Sequence, residues 1–213
     1  MSQGKLFIIS GPSGAGKDTV LKELFRIMPD INLSKSYITR PKRPGDEQKP
    51  KYCFISKEEF LEKLEAGEFL EYNEYMGNYY GTPRTPIEES VSSGRDIVLE
   101  IDINGAHKVK EQMPEAVGIF IAPPSFAVLK GRLLGRSSES EEQVAGRMRQ
   151  AVEEMKHAEE YDYVVVNDQG KVEECAQRIS DIILGNYENK ADSEKIKTNL
   201  IKEVIKDVES VNW

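Results

Sequence analysis

Residues 5–28 read KLFIISGPSGAGKDTVLKELFRIM, and this stretch decides the fold. Lys5 to Ser10 is a short apolar, β-branched run bounded by Gly4 and Gly11, as expected of a buried strand. After the glycine-rich loop, Val20, Leu21, Leu24, Phe25 and Met28 recur at helical spacing until Pro29 stops them. Strand, glycine loop and helix open an α/β domain with a parallel sheet. Within the loop, Gly14 and Gly16 permit backbone angles that a β-carbon forbids, so successive N–H groups can face one anion. The start of the helix adds positive potential. The spacing Gly11-x4-Gly16-Lys17 suits a triphosphate, with Gly11, Pro12, Ser13, Gly14, Ala15 and Gly16 as cradle and Lys17 reaching the outer phosphates. Ser or Thr would follow the lysine in the strict pattern; here Asp18 precedes Thr19. A carboxylate beside phosphates is repelled unless a cation lies between. Asp18 therefore reaches magnesium through water, or faces away with Thr19 as the hydroxyl ligand.

The alternation continues downstream. Ile97 to Ile103 reads as a strand, Gly105 to Met113 as a short helix, and Val117 to Ala122 as a strand. A helix follows from Pro124 to near Gly135, and a long one from the capping-box spacing at Ser140 to about Glu160. Tyr163 to Val166 is a strand, and Val172 to Leu184 a helix ended by Gly185. Residues 34–95 differ in texture, with short strands, a Pro/Gly-rich turn, a helix capped by Ser56 and a tyrosine-rich strand and turn from Phe69 to Tyr80. The expected organisation is a core of 1–33 and 96–185, a small mixed α/β insertion at 34–95, and a C-terminal helical extension at 186–213. In that extension Ile196, Leu200, Ile201, Val204, Ile205, Val208 and Val211 share one helical face. Such a helix docks on the body or against a second subunit in a homodimer. A membrane helix would need a strongly basic polar face.

Composition narrows the function classes. The 213 residues carry a formal net charge of −8, with 38% hydrophobic and 31% charged residues. A chain this acidic is a poor match for nucleic acid, which is gripped through bulk positive charge. No apolar run approaches the roughly 20 residues that span a bilayer. Met1 to Ser10 reads directly into a strand, with no charged and apolar leader, and Cys53 and Cys175 form no spaced cluster. A cytoplasmic location with reduced thiols is expected.

Two basic clusters stand out. Residues 34–52 hold six Lys or Arg against two acids, with Arg40 and Arg43 flanking Pro41, and with Ser36, Tyr52 and later Tyr80 as neutral donors. Rigid arginine forks with hydroxyls suit a phosphate monoester. The second cluster, Lys130, Arg132, Arg136, Arg147 and Arg149, flanks the Ser/Glu-rich stretch 137–142. It reads as a lid, about residues 135–147, that closes over transferring phosphates and excludes water. Of these, Arg136 and Arg147 are the functional candidates. Asp102, at the end of IVLEID, suits either a metal-organising acid or the cap of the next helix.

In order along the chain, GPSGAGK, TRPKRPGD, GEFLE, GNYYGT, the strand ending in ID, IAPPS, GRLLGR and VVVND resemble guanylate kinase, in the nucleoside monophosphate kinase group. The resemblance covers roughly residues 4–185. It implies a P-loop kinase core with a parallel sheet flanked by helices, a monophosphate-binding insertion, a lid and an extra C-terminal helix. It implies ATP + GMP → ADP + GDP, with dGMP also accepted and magnesium required. By that similarity Ser36, Arg40, Arg43, Tyr52 and Tyr80 hold the GMP phosphate, and Glu71, Thr82 and Glu100 hold guanine. Lys17, Arg136 and Arg147 serve the ATP phosphates; Asn167 and Asp168 match a segment near the adenine. Thr19 and Asp102 are the metal candidates, with Asp18 acting through water. Glu100 stands where the family usually has Asp, and Lys51 lies in a stretch that usually carries Gly and Asp. The rival readings are a kinase for another nucleoside monophosphate and an inactive protein-binding module of the same fold. The module reading sits poorly with an intact phosphate loop.

Overall fold

The computed structural model describes residues 3–43, 45–46, 51–134 and 141–186, the side chains of 141–144 excepted. The chain divides into two compact units, Met1–Ile8 with Ile31–Val117, and Ile9–Asp30 with Gly118–Trp213. The first strand, β1 (Leu6–Ser10), is buried along its whole length and contributes to both. A strand buried on both faces has to be apolar throughout, which LFIIS nearly is.

In the second unit, α1 (Lys17–Ile27) follows the glycine loop and buries Val20, Leu21 and Leu24, one face of a helix of period 3.6. Then come β8 (Val117–Ala122), α5 (Phe126–Leu134), α6 (Glu141–Lys156), a 3₁₀ turn (His157–Glu160), β9 (Tyr163–Val166) and α7 (Val172–Ile183). Here β1, β8 and β9 are neighbours in that order, and β8 and β9 are parallel with Ile119 opposite Tyr163. Helix α7 packs on α1 and buries Cys175, Ala176, Ile179 and Ile183. Burial pushes the Cys175 thiol up to about 12, so it stays protonated and serves as a small apolar filler.

In the first unit, β2 (Asn32–Leu33), β7 (Ile97–Glu100) and β1 lie side by side, β2 parallel to β7. A separate four-stranded sheet has the order β4 (Tyr52–Phe54), β3 (Ser36–Ile38), β6 (Asn78–Pro83), β5 (Phe69–Tyr75). Strands β5 and β6 form a hairpin turned by Met76 and Gly77, both at positive φ. Helix α2 (Lys57–Glu65) is capped by Ser56, whose hydroxyl accepts the Glu59 N–H at 3.0 Å. It lays Phe60 into a stack with Phe69 and Tyr79, at ring separations of 4.3 and 5.2 Å. Two helices complete this unit, α3 (Arg84–Ser92) and α4 (Ile103–Gln112).

Two segments depart from the sequence reading. Ile97–Ile103 is a strand only as far as Glu100, and α4 begins at Ile103 because Asp102 caps it, accepting the Gly105 N–H at 2.7 Å. Helix α3, for which the sequence reading had no element, tolerates Pro86 because a first-turn N–H has no intrahelical acceptor. Arg136, residues 135–140 of the expected lid, and the extension beyond Asn186 lie outside the described residues. Among the described residues, no helix is long and apolar enough to cross a membrane.

Candidate nucleotide sites

The glycine loop belongs to the second unit. Gly11 adopts φ +150°, and a β-carbon there would lie 2.2 Å from the Ile121 carbonyl oxygen, so only glycine fits. Gly16, the residue before α1, has φ +88° and ψ 24°, and a β-carbon would lie 2.6 Å from Asn167 Nδ2. The Lys17 ammonium bends back over the loop, donating to the Gly11 carbonyl and, at 3.2 Å, to that of Pro12. A cation held over the concave side of such a loop adds its charge to the helix start.

Side chains from distant segments fix the loop from outside. Asn167, buried, donates to the Ala15 carbonyl at 2.8 Å, and its own Oδ1 is buried without a hydrogen-bond partner. Arg132 donates to the same carbonyl at 3.1 Å and to the Asn167 carbonyl at 2.9 Å. Partial burial pulls its guanidinium below the usual value. From α6, Arg147 donates to Ser13 Oγ at 2.8 Å, and Glu154 accepts the Ser13 N–H at 3.0 Å. The structure thus brings Arg147 and Asn167 to the loop. Arg132 and Glu154 join them there, although sequence spacing had not singled them out for this. Asp168 follows Asn167 and is half-buried, whereas Asp18 and Thr19 are exposed on the first turn of α1.

The first unit holds two further groups. On the four-stranded sheet, Ser36 stands opposite Tyr52, and Ile38 opposite Tyr80. Arg40 is buried among them, its guanidinium 5.7 Å from the Tyr52 ring centre and 5.5 Å from that of Phe54. Asp46 grips that guanidinium with both oxygens, at 2.6 and 3.2 Å, and also accepts the Arg43 N–H at 2.7 Å. The pairing raises the Arg40 pKa, so the charge is permanent. Asp46 therefore shapes both arginine positions of the cluster, though the Arg43 side chain is exposed.

The second group is an acidic corner, with Glu71 buried and Asp102 exposed. Thr82 donates its hydroxyl to Glu71 Oε1 at 2.6 Å, and both residues are buried. A β-carbon on Gly105 would lie 3.1 Å from Glu71 Oε2 and 3.3 Å from Asp102 Oδ1, so both carboxylates face the same spot. Burial pushes the Glu71 carboxyl above the usual range; Thr82 and Lys108 pull it down, and the Asp102 charge pushes it further up. Asp102 also meets Asn73 Nδ2 at 3.3 Å. Glu100, grouped with Glu71 and Thr82 from the sequence, pairs with Lys51 at 2.6 Å.

Comparison with known proteins agrees with this geometry. The guanylate kinase family model matches residues 3–185. The guanylate kinase of Oceanobacillus iheyensis is 46% identical over 185 residues, 87% of this chain and 89% of that protein. That of Lactococcus lactis subsp. lactis is 45% identical over 181 residues, 85% of this chain and 87% of that protein. The crystal structure of guanylate kinase from Anaplasma phagocytophilum superposes with a TM-score of 0.69 at 33% identity, covering 100% of this chain and 98% of that one. A family model that spans residues 3–185 and relatives about 46% identical over most of their length show that the chain belongs to the guanylate kinase family.

Proposed function

We propose that this chain transfers the γ-phosphoryl group of ATP to GMP or dGMP, giving ADP and GDP. The observation that carries the choice of acceptor is the corner where buried Glu71 and Thr82 meet the exposed Asp102, in the same unit as the Ser36–Arg40–Tyr52–Tyr80 cluster. Guanine offers N1–H and an N2 amine as donors, and adenine has neither on that edge. A carboxylate that only accepts hydrogen bonds therefore favours guanine, and burial makes a wrong base costly because it leaves the acid unpaired.

The division of labour follows from the side chains. Arg40, Arg43, Ser36, Tyr52 and Tyr80 bind the GMP phosphate, with Asp46 orienting the arginines. Gly11 to Gly16 cradle the ATP phosphates, Lys17 and Arg147 neutralise them, and Arg136 is assigned the same task. Asn167, with its unpartnered Oδ1, and Asp168 serve the adenine. The attacking oxygen of GMP is already anionic, so no general base is required. Catalysis is positioning and charge compensation: an oxygen of GMP bonds to the γ-phosphorus as the bond to the β-γ bridging oxygen breaks, and that oxygen leaves on ADP.

Asp18 and Thr19 expose hard oxygen donors directly after Lys17, and these fit magnesium, which keeps several waters and shares phosphate oxygens. Thr19 would hold the ion directly, with Asp18 acting through water; the oxygens of Asp102, the other candidate from the sequence, are engaged by Gly105 and Asn73. Bound there, it would neutralise charge on the transferring phosphates. The same reading assigns the enzyme to the cytoplasm, and the amphipathic pattern of 193–211 supports a homodimer contact.

A coupled assay of ADP release across GMP, dGMP, AMP, CMP and UMP tests this reading. We expect GMP and dGMP to turn over and the other three to fall short in kcat/KM by about 10⁴-fold. Faster turnover of any non-guanine acceptor removes the assignment.

A further inference from the structure

We propose that the Lys51–Glu100 ion pair is a strut that fixes the spacing between the phosphate cluster and the acidic corner, which makes Lys51 and Glu100 positioning residues for GMP. The proposal rests on the reading that this unit holds GMP.

Lys51 Nζ lies 2.6 Å from Glu100 Oε2, and the two side chains are only 13% and 10% exposed. Each partner is tied to one of the two groups. The Lys51 carbonyl accepts the Ser36 N–H at 2.8 Å, and the next residue, Tyr52, pairs with Ser36 across β3 and β4. The Lys51 ammonium also lies 5.1 Å from the Tyr52 ring centre. Glu100 ends β7, two residues before Asp102, which caps α4 beside Glu71. Strands β4 and β7 belong to different sheets, so no ladder hydrogen bond holds one to the other. At the far edge of the four-stranded sheet, β5 is tied to α4 by Gln112 on the Leu70 carbonyl, at 2.6 Å, and by Lys108 on that of Tyr72. The Lys51–Glu100 pair does the corresponding work at the β4 edge.

Energetics favour a geometric role over a stabilising one. A buried pair recovers little beyond its desolvation cost, and apolar residues of similar volume often replace it without loss of stability. What apolar residues cannot reproduce is a fixed reach between two strand ends. A GMP molecule spans phosphate to base, so a shift of about 1 Å between its two subsites weakens binding at one of them.

The test uses reach. Glu100→Asp keeps the charge but withdraws it by one methylene; Lys51→Arg carries a longer donor. We expect Glu100→Asp to raise KM for GMP about tenfold while KM for ATP and kcat stay within about twofold. The double variant Glu100→Asp/Lys51→Arg restores the reach and recovers most of the loss. The apolar double variant Lys51→Met/Glu100→Leu keeps its melting temperature but not its affinity for GMP. A wild-type KM for GMP in Glu100→Asp, or in the apolar double variant, overturns the strut. If the unaltered protein fails to phosphorylate GMP at all, the substrate assignment falls and the strut with it, a result distinguishable from unchanged kinetics in the variants.

Discussion

Lys17→Met lowers kcat by about 10³-fold, roughly 4 kcal/mol of lost transition-state stabilisation, while the melting temperature hardly moves. The size follows from the site. Its ammonium is fastened to the Gly11 and Pro12 carbonyls, so the charge is already in place over the loop when phosphates arrive. A preorganised cation needs no reorientation as charge shifts toward the leaving ADP. The fold does not depend on it in the same way, because φ at Gly11, Gly14 and Gly16 is set by the loop backbone itself. Steady-state kinetics together with thermal melting separate the two effects. A kcat within about tenfold of the unaltered protein would contradict this role for Lys17.

Glu71→Gln has the second large effect, and it moves activity and stability in opposite directions. The variant places an amide donor opposite the guanine donors, so kcat/KM for GMP falls by about 10³-fold and the preference for GMP over AMP narrows. Stability behaves otherwise. Burial, helped by Asp102, holds the Glu71 carboxyl above its ordinary range, so folding takes up a proton there. A raised carboxyl contributes stability below its unfolded pKa and loses it as pH rises through the folded pKa. At neutral pH the buried carboxyl is therefore a burden that the neutral amide relieves, and Thr82 can still donate to the Gln oxygen. Glu71→Gln melts above the unaltered protein at pH 7, and the gap closes as pH falls toward the ordinary carboxylate range. A variant that melts lower at pH 7, or a gap that widens in acid, contradicts this electrostatic reading.

How far the sequence could be read depended on the range of the contacts involved. The phosphate loop was legible because its function resides in local backbone shape, which Gly11, Gly14 and Gly16 announce directly. Strands β8 and β9 fell at Val117–Ala122 and Tyr163–Val166 as their apolar runs required. The start of α4 was obscured because Ile101 and Ile103 prolong the alternation of IVLEIDI past the true strand end. The Asp102 cap shows only with the Gly105 N–H in place. Glu154, Arg132 and Asn167 act on the loop across more than a hundred residues of chain, and no spacing rule reaches that far. The partner of Glu100 was hidden for a similar reason. An acid inside a strand needs a partner, and nothing local to IVLEIDI says that Lys51 provides it.

Calorimetric titration of the unaltered protein with GMP and, separately, with AMP bears most directly on the acidic corner as the reader of the base. Saturable heat is expected with GMP at micromolar to submillimolar concentrations, and none with AMP up to several millimolar. Absence of heat with millimolar GMP, or equal affinity for the two nucleotides, would contradict it.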